Sequence, residues 1–539
     1  MDELKNLLER LEQLNHIGAA LSKERDISRL LELILRATKS ITHADGGTLY
    51  RMVDGKALRF EILLNDSLNV AMGGSSGKPI TFPDLPLYLE GGAPNNAMVA
   101  AYTALNRHTV NIADAYTEPN FDFAGTKRFD ASTGYRSQSF LTVPMLDHEG
   151  QVIGVLQLIN AKPPGALSVQ AFSQADQSLA ESLASQAAIA LTNRMLITQL
   201  EELFESFIGM INAAIDEKSP YTGGHCQRVP TLTMQLAQAV NDTKDGPLAD
   251  FKLDERDMYE LKIAGLLHDC GKVTTPVHVV DKATKLQTLF DRIELLDTRF
   301  EVLKRDAEIV CLRAQLALRQ AVDDQAEHAL EQLLKAQWQQ IDADRAFLRQ
   351  TNQGGEFMKE EALARVRAIG TERQWQAPSG QMADFLSADE LENLSIRAGT
   401  LTAAEREVIN HHIVTTITML EQLPWPQHLK RVTEYAGGHH ERMDGDGYPK
   451  GLKREEMSLP ARIMGIADIF EALTASDRPY KKGMTLSEAL TILRKFKYNG
   501  HIDPDLFDVF VKKGVYQSYA QQFLKASQID EVDPEALLS

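Results

Sequence analysis

Cysteine is nearly missing from this chain: Cys226, Cys270 and Cys311 are its three in 539 residues, and their spacing pairs none of them. That excludes a disulfide framework and fits reduced, structural thiols in a cytosolic protein. Basic charge is also in short supply. With 57 Lys and Arg against 75 Asp and Glu, for a net charge of -18, the chain lacks the cationic surface on which binding to a nucleic-acid polymer rests, although a local positive pocket can still take a small phosphate ligand. Long hydrophobic runs are absent too. No stretch reaches the roughly 18 apolar residues of a membrane span, and the opening segment MDELKNLLERLEQL is acidic and amphipathic, not basic then apolar as in a secretory signal. The expectation is a cytoplasmic protein without membrane insertion. What is present is an ordinary globular balance, 43% hydrophobic and 24% charged, in a chain long enough for three or four domains at about 100 to 200 residues each.

Leu4, Leu7, Leu11 and Leu14 alternate three- and four-residue steps, which puts them on one seam of an amphipathic helix over residues 1–25. The seam either pairs with a second copy or packs on its own domain. From 26 to 165 the texture changes. A helix, SRLLELILRATKSIT, precedes short apolar stretches GTLYRMV, ALRFEILL, SFLTVPML and VIGVLQLIN, divided by turns rich in Gly, Asp and Asn. This order, ending in LTVPMLDHEGQVIGVLQLINA, resembles a GAF domain. GAF domains are small-molecule sensing or dimerising modules, so the likeness alone names no ligand. The segment NFDFAGTKRFDASTGYRSQSF is loosely similar to the Asn, Lys, Phe and Asp pattern of cyclic-nucleotide-binding GAF domains, with irregular spacing. A small ligand of unknown identity, or none, is the expectation there.

A helical pattern covers 166–212, with Leu196, Leu200, Leu203 and Phe207 at steps of four, three and four. It reads as a connecting helix that either transmits a shift from sensor to effector or acts as a rigid dimerising spacer. Together the two seams predict a homodimer. Between 286 and 394 lies another helical stretch, in which Leu286, Leu289, Ile293, Leu296, Phe300 and Leu303 keep heptad alternation before a Gln- and Ala-rich run, and TNQGGE marks a break. It reads as a coiled-coil hairpin or a lid.

The chemistry concentrates around AGLLHDCGK, where His268 and Asp269 end an apolar run with Lys272 close behind. An isolated His-Asp pair is ordinarily a helix end. Here His225 stands upstream in YTGGHCQRV, and downstream come His411 and His412 in EREVINHHIVTTITML, His439 and His440 in GGHHERMDGDGYP, and Asp468 in IMGIADIFEALTASDRPY. Imidazole and carboxylate donors together suit iron, manganese, nickel or zinc rather than calcium. Adjacent helical side chains diverge by about 100 degrees, so His268 and Asp269 serve one cluster only if the carboxylate reaches across and bridges. Two metals about 3.5 to 4 Å apart would then stabilise both the attacking and the leaving oxygen of a phosphoryl displacement.

This set resembles the HD-GYP branch of the HD phosphohydrolases, over a first part at 213–285 and a second at 395–525, interrupted by the 286–394 insertion and followed by a tail at 526–539. The resemblance implies a multidomain protein: an α+β GAF sensor, a long connecting helix and an all-α catalytic domain carrying the helical insertion. It implies His225, His268, Asp269 and Asp468 around one metal and Asp269, His412, His439 and His440 around the other, with His412 preferred to His411 for its distance from TITML. Two divalent ions, iron or manganese first and nickel or zinc as alternatives, are its cofactors. Lys272 matches the family lysine that approaches a substrate phosphate, Tyr448 has a ring that can stack on a base, and Arg478 is a phosphate candidate, one residue further from Asp468 than in the commoner pattern. Some members hold a third metal through a glutamate four residues before the first histidine; Tyr221 stands there, and Glu217 is a turn further back, so two metals are expected here. The implied activity is metal-dependent hydrolysis of a cyclic dinucleotide, cyclic di-GMP to pGpG and to GMP if cleavage continues, regulated by the GAF domain. The alternatives are a phosphodiesterase for 3',3'-cyclic GMP-AMP and a non-catalytic cyclic-dinucleotide receptor that signals through its coiled coils.

Overall fold

A computed structural model describes residues 17–20, 24, 26–163, 166, 168–218, 224–318, 324–355, 357–476 and 483–539. It divides into two compact units, Met1–Phe204 and Glu205–Ser539. The leucine seam at Leu4 to Leu14 lies outside the described residues. Among the described residues, no helix is long and apolar enough to cross a membrane.

In the first unit the order is α1 (Ile27–Thr42), β1 (Ala44–Val53), β2 (Ala57–Asn65), β3 (Val70–Gly73), β4 (Leu85–Pro86), α2 (Val99–Asn106), β5 (Val110–Ile112), α3 (Ala124–Thr133), β6 (Phe140–Leu146) and β7 (Val152–Ala161), followed by the long helix α4 (Gln174–Lys218). The strands form one antiparallel sheet, β3-β2-β1-β7-β6-β5, with β4 beside β2. The four apolar stretches of the sequence are β1, β2, β6 and β7. The three shorter strands carry too few residues to show a period. Asp26 caps α1 by accepting from the Arg29 N–H at 2.7 Å, and the helix lays Leu30, Leu31, Ile34 and Leu35 onto the sheet. Gly47 permits that approach, since a Cβ there would meet Leu35 Cδ1 at 2.8 Å. The start of α4 adds Ala180, Ala184, Ala187 and Ala188 to the same core.

The connecting helix starts at Gln174, not 166, because Gln170 is still bridged to Ala161 of the sheet. Ser173 and Asp176 then cap it reciprocally: Ser173 N–H donates to Asp176 Oδ2 at 3.1 Å and Asp176 N–H to Ser173 Oγ at 3.2 Å.

The second unit holds α5 (His225–Asn241), α6 (Glu255–Leu267), a 3₁₀ turn (Cys270–Thr274) and α7 (Val277–Val280). The inserted helices follow, α8 (Ile293–Leu318), α9 (Asp324–Asn352) and α10 (Glu360–Glu372), with a hairpin of β8 (Gln374–Gln376) and β9 (Met382–Asp384), then α11 (Ala388–Leu394). After them come α12 (Ala403–Asn410), α13 (His412–Glu421), α14 (Val432–Gly437), α15 (Leu459–Thr474), α16 (Leu486–Tyr498), α17 (Pro504–Lys512), α18 (Val515–Phe523) and α19 (Pro534–Leu538). The insertion has its own core, including Leu286, Leu296, Phe300, Ile341, Leu348, Val366 and Phe385. Its hairpin is laced by Lys304 to Asp342 and Arg345 to Asp297 and Glu301.

Two expectations for this stretch need correction. The heptad read from Leu286 and Leu289 is not helical there: the helix begins at Ile293, because Gln287 and Asp291 close a tight loop that Asn352 Nδ2 fastens by donating to Asp291 at 2.9 and 3.0 Å. Leu289 is consequently 95% exposed. The region is also not all-helical, since the Pro378-Ser379-Gly380 turn, with Gly380 at a φ of 82°, folds β8 onto β9. Residues 526–539 end in α19, capped by Asp533, with Leu537 buried.

Candidate metal centre

Seven side chains converge from five places in the second unit. Helix α6 opens on a capping box between Asp254 and Asp257 and delivers His268 and Asp269 at its C-terminal end. Gly271 lets the following turn press against α13, where its N–H donates to Thr416 Oγ1 at 2.9 Å; a Cβ there would meet the His412 carbonyl at 2.0 Å. His225 is the first residue of α5, after Gly224 at a φ of 85°. His412 opens α13, with His411 exposed beside it. His439 and His440 follow α14, whose close approach to α15 requires Gly438, since a Cβ there would meet Ala461 Cβ at 2.9 Å. Asp468 projects from the middle of α15.

The ligand-type atoms fall into two groups that share one carboxylate: Asp269 with His412, His439 and His440, and Asp269 with His225 and His268. Asp269 Oδ2 lies 3.0 Å from His225 Nε2 and 3.3 Å from His268 Nε2, while Oδ1 lies 3.3 Å from His412 Nε2. Each oxygen therefore faces a different group. Asp468 Oδ1 is 3.3 Å from His225 Nε2 and 3.9 Å from His268 Nε2, beside the second group.

The donor chemistry fits cations between these atoms. His268, His412 and His439 place Nδ1 at 2.7, 2.5 and 2.6 Å from the carbonyls of Gly265, Ile409 and Ala436. A carbonyl only accepts, so Nδ1 carries the proton and Nε2 presents a lone pair inward. His440 Nε2 and His412 Nε2 nonetheless stand 3.2 Å apart, and His268 Nε2 and His225 Nε2 3.4 Å. His439 Nε2 and Asp269 Oδ1 are buried without a hydrogen-bond partner. Lone pairs of His268, His412 and His439 gathered in one buried space, with orphaned buried acceptors among them, are costly unless a positive ion sits there.

The electrostatics of His439, His440 and Asp269 agree. Burial pushes the His439 ring down to about 4, with His268 adding to the effect. Burial and then His439 hold His440 well below the ordinary histidine range, so both are neutral, as metal ligands must be. Burial opposes ionisation of Asp269, but the Lys272 ammonium, 2.5 Å from Oδ2, and His268 hold its carboxyl well below the usual range. Burial also works against charge on Lys272, and Asp269 and Asp468 outweigh it, raising the ammonium's pKa.

Tyr448 lies over the site, stacked on His440 with ring centroids 4.8 Å apart and planes 24° from parallel. The loop that carries it folds around Glu441, whose carboxylate accepts the N–H groups of Lys450 and Leu452 at 2.7 and 2.8 Å. Gly447 is required because a Cβ would meet Arg442 N at 2.4 Å. Arg478 and Tyr221 lie outside the described residues. Sequence reasoning missed Thr416, Glu441 and Glu471. Of these, Glu471 alone left a readable trace, standing three residues after Asp468 on one face of α15.

A GAF domain model matches residues 26–191, and two HD domain models match 222–337 and 385–506. A 3'3'-cGAMP-specific phosphodiesterase 1 of Vibrio cholerae is 40% identical over 26% of this chain and 32% of its own length. A cyclic di-GMP phosphodiesterase of Pseudomonas aeruginosa is 40% identical over 25% of this chain and 32% of its own. A second enzyme of Vibrio cholerae, 3'3'-cGAMP-specific phosphodiesterase 3, is 34% identical over 28% and 32%. The chain spans about a third of the length of the curated relatives it matches.

Proposed function

We propose, from the matches to HD domain models with a GAF domain ahead of them, that this chain belongs to the HD-GYP family and is a cytoplasmic, metal-dependent phosphodiesterase that hydrolyses a cyclic dinucleotide. Cyclic di-GMP is the first candidate substrate, with pGpG as product and GMP if cleavage continues, and the GAF domain regulates turnover. The observation that carries this reading is Asp269, whose two oxygens face two separate groups of histidines. His225, His268 and Asp468 complete one ion site, and His412, His439 and His440 the other.

When bound, two divalent ions supply Lewis acidity toward the phosphodiester and make water a nucleophile near neutral pH. Iron or manganese is the first choice for such a nitrogen and oxygen donor set, with nickel or zinc the alternatives. The protein's own groups do the rest. The buried imidazoles and the Asp269 carboxylate would hold the ions in place. The Lys272 ammonium is placed to offset negative charge developing on a phosphate oxygen. Tyr448, stacked on His440, offers its outer face to a base, and Arg478 is a second phosphate contact. Tyr221 in place of a carboxylate favours two ions over three. We also assign the chain a homodimer through the exposed seam Leu196, Leu200, Leu203 and Phe207 of α4.

A second reading, cleavage of 3',3'-cyclic GMP-AMP, is favoured by two relatives that carry that activity in their names. Incubating anaerobically purified, manganese-loaded protein with each dinucleotide and separating the products decides between them. Turnover of cyclic di-GMP to pGpG is expected. Binding of either dinucleotide without any cleavage, by protein holding both ions, would instead mark a receptor.

A further inference from the structure

We infer that Glu471, held by Arg228, is the positioning residue that orients His225 toward its metal ion; the inference rests on the two-ion reading given above. The reason lies in where the histidines stand. His268, His412 and His439 each donate the Nδ1–H to a backbone carbonyl three residues earlier. His225, the first residue of α5, takes a side chain in that role. Its Nδ1 instead lies 2.5 Å from Glu471 Oε2, a carboxylate on α15 that is fully buried.

Glu471 stands three residues after Asp468, on the same face of α15. The two carboxylates therefore grip the imidazole from opposite ends, Glu471 at Nδ1 and Asp468 Oδ1 at 3.3 Å from Nε2. The other oxygen of Glu471, Oε1, accepts from Arg228 Nε at 2.7 Å. Arg228 lies three residues after His225 on α5, so one salt bridge ties the ligand's own helix to the helix that orients it. Gly224 leaves room for this arrangement, since a Cβ there would meet Arg228 Nη1 at 2.6 Å. A carboxylate that holds one ring nitrogen of a histidine fixes its tautomer and raises the basicity of the other.

His225 belongs to one of the two groups only, so the loss is selective. Full-length Glu471→Gln and Glu471→Ala proteins, stripped of metal and titrated with manganese(II), separate the possibilities. Expected is one manganese bound as tightly as in wild type and a second weakened about 10- to 100-fold, with the exchange-coupled electron paramagnetic resonance signal of a manganese pair replaced by the six-line spectrum of an isolated ion. The effect is smaller in Glu471→Gln, whose amide oxygen still accepts from Nδ1. That variant keeps the size of the buried side chain, so it decides the matter if Glu471→Ala does not fold. Variants that bind two ions with unchanged affinity and an intact coupled signal overturn the inference while the two-ion reading stands. Wild-type protein that takes up a single manganese ion overturns both.

Discussion

Asp269 is the residue on which the proposed centre turns, because no other side chain of the cluster has one oxygen toward each histidine group. Asp269→Ala is expected to lower manganese content below one ion per chain and to reduce turnover by about 1000-fold or more, several kcal/mol at 1.36 kcal/mol per factor of ten; metal analysis and product chromatography check it. Gly271 is a different kind of requirement. Gly271→Ala forces a methyl group into the His412 carbonyl and Thr416, so the turn has to move and take Asp269 with it. The expected result is a melting temperature lowered by several degrees together with lost manganese binding, read by calorimetry and metal titration. At this scale the sequence was most legible where chemistry needs rare residues side by side: His268-Asp269 and His439-His440 stand out without any structure. Glu471 left only its place one turn from Asp468 as a trace, since its contact with His225 spans 246 positions and a lone glutamate within an apolar helix has many uses.

The elements of the insertion show how a regular pattern can outrun the helix that it suggests. Leu289 and Leu296 fall in one apparent heptad series, yet Leu296 is buried in the insertion's core and Leu289 stands in solvent. Leu296→Ala is expected to cost about 2 to 5 kcal/mol of stability and Leu289→Ala less than about 0.5 kcal/mol, a contrast that denaturant melts of the two variants measure directly. Hydrogen bonds from Asn352 to Asp291 end the series, and contacts between residues so far apart carry no period. Lys285 sits at the same junction, buried, donating to the carbonyls of Leu394 and Ile396 at 3.3 and 2.7 Å. Burial pulls its ammonium down to about 8. The unfolded chain titrates higher, near 10.4, so the penalty for burying the charge is fully present below pH 8 and disappears as pH rises toward 10. Stability of the wild type should therefore climb over that window relative to Lys285→Met, by on the order of 1 kcal/mol after solvent screening. Unfolding free energies at pH 7.5 and 9.5 test the sign.

For the whole molecule, the apolar seam of α4 is one exposed feature among the described residues that the proposed dimer would cover, since Leu200, Leu203 and Phe207 are each more than half exposed. A Leu200→Glu, Phe207→Glu double variant is expected to run as a monomer in light scattering at micromolar concentration while wild type runs as a dimer; a wild-type monomer with full activity would count against the seam. Domain order was readable from texture, because alternating strands, a long heptad helix and a histidine-rich region differ in composition. The capped edges, such as Ser173 and Asp176, depend on local hydrogen bonds and shifted the expected boundaries by several residues. The insertion has one more consequence, in time. It separates His225, His268 and Asp269 from the remaining ligands, so a ribosome adding about 5 to 20 residues per second leaves a gap of roughly 7 to 30 s between Asp269 and His412. Through that interval the nascent chain carries three of the proposed ligands without the other four, and the inserted helices, with a core of their own, can fold before the site is complete. Completion of the proposed ion site at His412, His439 and His440 then waits on His440, and that of the site at His225 and His268 on Asp468.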